Sequence, residues 1–435
     1  MKEKILERIK NRQSVVGIVG LGYVGLPIAI DKAKAGYMVI GFDVNADKVK
    51  MINNSKSYIQ DIDNSEIAEV VENNMLIATD DFSQLKKVDI IEICVPTPLD
   101  KFKQPDLSYV KLTCETISKN LINGQIIVMK STTYPGTTVE LIKPILEKSN
   151  LQCGKDFFLG FSPERIDPGN KKYKSKDMPQ IVGGFDDNSR EIISQFYGEI
   201  YSIVFEVSSP SVAEMSKLLE NTFRNVNISL VNEMAILCNK MNISIWEVIE
   251  SAKTKPFGFM PFYPGSGAGG HCIPLDPCYL EWKAKEFDFH TTLIECSSNI
   301  NDKMSDYCLS RISKILNNNC KSIKNSSILF LGVAYKQDIG DCRESSSIKL
   351  IEKVVEMGGI VKYYDYYVNE VKVGDNFISK VINLNDEIIA AFDLIIISTA
   401  HTNIDYDMVC KSGKMVFDIK NATKNIKNKS NIEVL

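Results

Sequence analysis

The chain has no long hydrophobic run: its strongest stretches, such as Leu394 to Ile397, fall far short of the ~20 apolar residues that a membrane span needs. The opening Met1 to Lys10 lacks the apolar core of a secretion signal, so the protein is expected neither to cross a bilayer nor to be exported. Histidine is scarce. The three present, His271, His290 and His401, lie nowhere three or four residues apart, which argues against a histidine-built metal site, and no metal is expected. No block of five or six like charges occurs, and 51 Lys+Arg against 55 Asp+Glu leave a net charge of −4, so the electrostatic footprint of a nucleic-acid or membrane-surface binder is missing. The 11 cysteines are odd in number and contain no C-x-x-C pair. That excludes a disulfide scaffold, suits a reducing cytoplasm, and leaves room for one reactive thiol.

What is present is the composition of an ordinary folded chain: 435 residues, 44% of them hydrophobic, with only 25 Gly and 15 Pro. At roughly 150 residues per domain, about two to four domains are expected.

The β-branched run Val15 to Val19 ends in Gly20-Leu21-Gly22-Tyr23-Val24-Gly25, and Leu26 to Ala35 then reads as a helix stopped by Gly36. A second strand, Met38 to Phe42, delivers Asp43 at about the spacing expected of a dinucleotide-binding βαβ unit. In that reading Gly20 permits the turn, Gly22 lets backbone approach a pyrophosphate at the positive end of the helix, and Gly25 lets helix and strand pack closely. Tyr23 and Val24 complete the turn, Asp43 accepts the ribose hydroxyls, and Lys48 stands a turn further on. The alternative is a glycine turn that serves packing alone.

Further strands are predicted over residues 90–95, 125–130, 157–161, 180–183 and 203–207, giving a doubly wound, mostly parallel α/β sheet. Ligands of such sheets gather at the carboxyl ends of the strands. The sequence places Pro96-Thr97-Pro98, Ser131-Thr132-Thr133 and Ser162-Pro163-Glu164-Arg165 there. The prolines equally rigidify turns, and Thr137 with Glu140 reads as a capping box.

A second capping box, Ser211 with Glu214, opens a helix free of Gly and Pro to about Met241, roughly 45 Å long. Apolar residues surround most of its circumference, which predicts burial on more than one side and pairing with a twin helix in a homodimer. Lys217, Asn221 and Asn225 form a polar stripe that needs a cleft or is plain solvated surface. After Ile300 the α/β pattern returns without a glycine fingerprint, so a second Rossmann-like unit is expected to hold a different nucleotide or none. The organisation expected is a Rossmann domain over 1–208, a helical region over 209–318 and a Rossmann-like domain over 319–435.

The segment Tyr263 to Pro277 places four glycines (Gly265, Gly267, Gly269, Gly270) before Cys272. Glycines there would let backbone approach a ligand, and a thiol beside a nicotinamide can add to an aldehyde. On spacing alone a structural, buried cysteine is the better reading.

Taken in order, GLGYVG, SPER, AEMSKLLEN, GAGGHCIPLDP and GVAYKQDIGDCRESSS resemble the UDP-glucose/GDP-mannose dehydrogenase family over nearly the whole chain. The His-Cys-Ile-Pro and following Asp-Pro are most similar to the branch acting on UDP-N-acetylglucosamine. The resemblance implies an amino-terminal NAD domain, a helical dimerisation region and a carboxy-terminal UDP domain. It makes Cys272 the nucleophile, with Lys217 and Asn221 holding negative charge on the C6 oxygen, Asp276 beside them, and Glu164 and Thr132 serving hydrolysis. Pro96, Thr97, Ser131, Thr132 and Arg343 fall to the cofactor; Glu164, Arg165, Lys217, Asn221, Tyr263, Gly265, Gly269, Lys336 and Lys420 fall to the UDP-sugar.

Two departures stand out. The loop Lys255 to Pro261 lacks the arginine that UDP-glucose enzymes typically send to the neighbouring subunit's substrate, and His271 replaces a small residue of that branch. The function expected is NAD-dependent, four-electron oxidation at C6 of a UDP-N-acetylhexosamine, foremost UDP-N-acetylglucosamine, for capsule, O-antigen or related glycans. Alternatives are a UDP-glucose or UDP-N-acetylmannosamine 6-dehydrogenase and, in a different class, a catalytically silent nucleotide-sugar sensor.

Overall fold

The computed structural model describes all residues except 60–61, 166–174 and 271. It divides into two compact units, one of residues 1–220 and 278–289, the other of residues 221–277 and 290–435. The 209–318 stretch is therefore shared between the two.

The first unit is built on eight strands: β1 (Val15–Val19), β2 (Met38–Phe42), β3 (Leu76–Thr79), β4 (Ile90–Ile93), β5 (Ile126–Met129), β6 (Phe158–Phe161), β7 (Gln180–Gly184) and β8 (Val204–Val207). They lie in the order β3-β2-β1-β4-β5-β6-β7-β8, parallel except where β6 meets β7. Runs such as Ile90 to Ile93 and Ile126 to Met129 are buried at every position, because helices cover both faces of the sheet. The order reverses between β1 and β4, and the glycine turn sits at that switch point.

The second unit carries β9 (Ser327–Leu331), β10 (Ile360–Tyr364), a short hairpin of β11 (Lys372–Val373) and β12 (Asn376–Phe377), then β13 (Ser379–Lys380), β14 (Leu394–Ile397), β15 (Met415–Asp418) and β16 (Ile432–Val434). Its main sheet is wholly parallel in the order β13-β10-β9-β14-β15-β16. The two doubly wound sheets predicted are thus present. Several predicted strands end a residue or two early, and β3, β13 and β16, each four residues or fewer, were too short to stand out in the pattern.

Both predicted capping boxes are corrected. The long helix runs Pro210–Lys240, with proline in its first turn and Ser209 Oγ accepting the Val212 N–H at 3.4 Å. Glu214 is fully buried and reaches across the unit instead, where it accepts the N–H of Gly136 at 2.6 Å and the N–H and hydroxyl of Thr138 at 2.9 and 2.6 Å. A box would leave that carboxylate in solvent; burying it with three donors fixes the turn after β5. Thr137 likewise donates its hydroxyl to Tyr134 O, and Glu140 pairs with Lys283 at 2.7 Å. The helix is apolar all round but not buried all round: Ala213, Leu218, Val231, Ala235 and Cys238 are buried, whereas Met215, Leu219, Phe223, Leu230 and Leu237 are exposed.

Candidate active site

At the switch point the three glycines have separate reasons. A Cβ on Gly25 would sit 1.8 Å from the Gly20 carbonyl oxygen, and Gly20 holds φ +93 with the Cys94 carbonyl 2.7 Å from where its Cβ would be. Both positions are closed by packing. Around Gly22, by contrast, nothing lies within 4 Å of an added Cβ, so its backbone faces open space, and Tyr23 and Val24 are exposed beside it. Asp43 is held at the end of β2, its Oδ2 accepting Leu21 N–H at 2.9 Å and its Oδ1 accepting Asn45 N–H at 2.9 Å, with Lys48 Nζ at 3.4 Å. A carboxylate has about four acceptor positions, so two backbone donors fix its plane and leave capacity for a ribose diol. The open glycine and the anchored acid fit the diphosphate and ribose of NAD.

The neighbouring loops are braced from behind. The Ser131 hydroxyl donates to Val95 O at 2.7 Å, buried Thr97 offers its carbonyl to Tyr279 OH at 2.7 Å, Pro96 is exposed and Thr132 half-buried. After β6, Glu164 is half-buried, with Lys130 Nζ 3.7 Å from Oε2 and the Arg165 N–H donating to Oε1 at 2.8 Å. The Arg165 guanidinium pairs with Glu220 at 2.7 Å and donates to Pro179 O at 3.1 Å. Lys217 is half-buried on the long helix.

In the second unit Cys272 is half-buried at the start of the helix Cys272–Ala284, where aligned peptide dipoles favour negative charge. One turn on, buried Asp276 accepts Asn221 Nδ2 at 2.5 Å. The two asparagines of the polar stripe are thereby interior: Asn225 accepts Asn301 Nδ2 at 2.8 Å, and Asn232 donates to Asn301 at 2.9 Å while accepting the Gly265 N–H at 3.0 Å. The asparagines fasten the glycine loop to the helix, a role that spacing did not suggest for Asn232 or Asn301.

The glycines themselves meet protein more than open space. An added Cβ would lie 2.6 Å from Lys420 Nζ at Gly265, 3.1 Å from Tyr335 at Gly269 and 2.9 Å from the Tyr335 ring at Gly270. Burial lowers the Lys420 pKa, opposed by Cys308 and Asp418. Tyr263 stacks on Trp246 and donates to Glu250 at 2.7 Å, while Phe257 and Met260 are exposed. Lys336 is half-buried in the loop after β9; Arg343 in the same loop holds Asp341 through Nε and Nη2 at 2.6 to 3.0 Å. Asp338 accepts the Thr402 N–H at 2.8 Å and the Thr402 hydroxyl at 3.0 Å. His271 lies outside the described residues. Among the described residues no group of three or more His, Cys, Asp or Glu could hold a metal ion, and no helix is long and apolar enough to cross a membrane.

A doubly wound sheet with an open glycine turn and an anchored strand-end acid is the cofactor half of a nicotinamide-dependent dehydrogenase. Comparison with known proteins narrows the class. Family models match in chain order: the NAD binding domain of the UDP-glucose/GDP-mannose dehydrogenase family over residues 14–201, its central domain over 211–303 and its UDP binding domain over 329–425. The chain belongs to that family and is an NAD-dependent UDP-sugar dehydrogenase. It is 36% identical to protein CapL of Staphylococcus aureus, covering 93% of this chain and 95% of that one. It is 34% identical to the UDP-N-acetyl-D-glucosamine 6-dehydrogenase of Pseudomonas aeruginosa, covering 93% and 96%. Among solved structures, the UDP-D-ManNAc dehydrogenase of Pyrococcus horikoshii superposes with a TM-score of 0.87 at 31% identity, covering 97% of this chain and 98% of that one.

Proposed function

We propose that the protein oxidises the C6 hydroxymethyl of a UDP-N-acetylhexosamine, foremost UDP-N-acetylglucosamine, to the uronic acid for polysaccharide precursors. The observation that carries this reading is the buried Asn221–Asp276 pair one turn from the half-buried Cys272 at its helix start. A thiol so placed is fit to add to a C6 aldehyde and to carry the acyl group as a thioester until water opens it. Lys217 and Asn221, one helical turn apart, would stabilise the developing oxyanion in a water-poor site. Asp276 would orient the opening water or accept its proton, aided by Glu164 and Thr132.

NAD would be held by Gly20, Gly22, Tyr23, Val24, Gly25, Asp43 and Lys48, with Pro96, Thr97, Ser131, Thr132 and Arg343, and would supply the acceptor for both hydrides. Arg165, Tyr263, Gly265, Gly269, Lys336 and Lys420 would hold the sugar nucleotide. The exposed Met215, Leu219, Phe223, Leu230 and Leu237 support a homodimer through the long helix. A cytoplasmic site of action suits the NAD supply that two oxidations per sugar demand.

The second reading, UDP-N-acetylmannosamine, is favoured by the likeness to the Pyrococcus horikoshii enzyme. Purified protein given NAD and a panel of UDP-sugars should release two NADH per sugar, with kcat/KM for UDP-N-acetylglucosamine about tenfold or more above UDP-glucose. Preference for the manno epimer selects the second reading, and preference for UDP-glucose defeats both. Cys272→Ala should stall after one equivalent or release aldehyde; full conversion to the acid at the wild-type rate would overturn the covalent role.

A further inference from the structure

The strand sequence Ile90-Ile91-Glu92-Ile93 contains an anomaly: a carboxylate in a strand that is buried at every position. Its surroundings resolve it. Lys32, on the helix Gly25–Lys34, is fully buried with Nζ 3.3 Å from Glu92 Oε2 and 3.1 Å from Tyr201 OH, and Tyr197 OH donates to Glu92 Oε1 at 2.5 Å. A second ammonium, Lys130 at the end of β5, is also fully buried, donates to Gln180 Oε1 at 3.2 Å and lies 3.7 Å from Glu164 Oε2. The Tyr197 ring stands within cation–π reach of both, 5.3 Å from Lys32 Nζ and 5.0 Å from Lys130 Nζ.

Two ammoniums and two carboxylates thus share one interior, and the pairing is ordered. Glu92 is occupied by Lys32 and Tyr197. Glu164 is the anion left for Lys130, and it is the only member of the four that is not fully buried. If Glu164 turned away or took up a proton, Lys130 would lose the carboxylate 3.7 Å from its Nζ and keep only the charge of Glu92, which Lys32 already engages.

We infer that Lys130 is a positioning residue for Glu164: its buried ammonium holds that side chain ionised and turned to one rotamer at the end of β6. Glu164 then meets the opening of the thioester as a carboxylate whose orientation is set from behind by a charge that solvent cannot screen. The inference rests on the hydrolytic role proposed for Glu164. Among the described residues, the groups facing this cluster include Cys94 after β4, Ser162 and Gln180, whose side chains are uncharged, and the Arg165 N–H; the Arg165 guanidinium pairs with Glu220.

The direction of the effect follows from the charges. Burial pulls the Lys130 pKa down, with Glu164 and Glu92 opposing, so the ammonium depends on its carboxylate neighbours. Reciprocally, an ammonium 3.7 Å from Oε2 favours the ionised form of Glu164, and a neutral residue at 130 removes that support.

Infrared difference titration, with Glu164→Gln identifying the Glu164 band, reads this directly in Lys130→Met and Lys130→Gln, two neutral variants in case one does not fold. Glu164 should titrate about one pH unit or more higher than in the wild type, and the acidic limb of kcat should move the same way, with KM for NAD and the UDP-sugar within about threefold. Lys130→Arg should restore the wild-type titration. In the Glu164→Gln background, Lys130→Met should change kcat by less than about twofold, since the lysine acts through the carboxylate. An unshifted Glu164 titration in a cooperatively melting neutral variant overturns the inference. Failure of the wild type to reduce NAD with any UDP-sugar would instead refute the proposed function, and the infrared titration would still decide the pairing.

Discussion

The two Rossmann-like units place an aspartate at the same topological point, the end of the strand that follows the first helix, and use it oppositely. In the first unit Asp43 follows β2, is fixed by two backbone N–H groups and keeps acceptor capacity beside the open face of Gly22. In the second, Asp365 follows β10 and is fully enclosed. It accepts the N–H groups of Val333, Tyr367 and Val368 at 2.8 to 3.0 Å, that of Ala334 at 3.4 Å, and pairs with His401 Nε2 at 2.9 Å. The other nitrogen, His401 Nδ1, accepts the Asp338 N–H at 3.0 Å, so the neutral ring donates from Nε2 to the acid. The same fold therefore leaves the strand-end acid with free acceptors in one unit and makes it a structural keystone in the other, where groups of the chain itself surround it. The connecting turn marks the difference. Gly20 to Val24 is short and glycine-rich, whereas the loop from Gly332 to Ser345 is long enough to carry Lys336, Asp338, Asp341 and Arg343.

The contrast breaks first at the acids. Asp365→Ala should destabilise the protein by about 3 kcal/mol or more, because it orphans backbone donors and a buried imidazole. Asp43→Ala should leave the melting temperature within a few degrees and instead weaken NAD binding; a thermal melt beside an NAD titration separates the two, and similar losses of stability would erase the distinction. Next come the glycines. Gly25→Ala drives a Cβ into the Gly20 carbonyl and should cost about 3 kcal/mol, while Gly22→Ala should melt as the wild type and raise the KM for NAD.

A smaller effect concerns cofactor choice. Asp43 repels a 2′-phosphate, so kcat/KM should favour NAD over NADP by about tenfold or more, ~1.4 kcal/mol, with Lys48 the residue that blurs the ratio. Equal constants for the two cofactors would show that Asp43 does not read the ribose. The smallest effect is on acid stability. Burial raises the Asp365 pKa, but the His401 hydrogen bond and the backbone donors outweigh it, leaving the folded value below the ordinary carboxylate range. A depressed carboxylate contributes stability that is whole above its unfolded pKa and is lost as pH falls through the folded one. Melting temperature should therefore decline below about pH 4 more steeply in the wild type than in Asp365→Asn.

Much of this was legible in the chain because it is local. The strand, glycine turn and helix of residues 15–34 and the arrival of Asp43 depend on backbone conformation within a few residues, and conformational demands of that range are written in residue type and spacing. Partnerships between distant segments were not. The spacing of Ser211 and Glu214 fits a helix cap, yet Glu214 serves a turn 76 residues away; Asn232 and Asn301 join across 69; and Lys32, Glu92, Lys130 and Glu164 come from four elements. A polar side chain in the interior bonds to whichever group the packed fold carries within reach, and that proximity exists only once the sheets have closed. Position along the chain thus marked the glycine turn and the acid that follows the second strand, and the tertiary structure alone told which acid is left open and which is bound to its own protein.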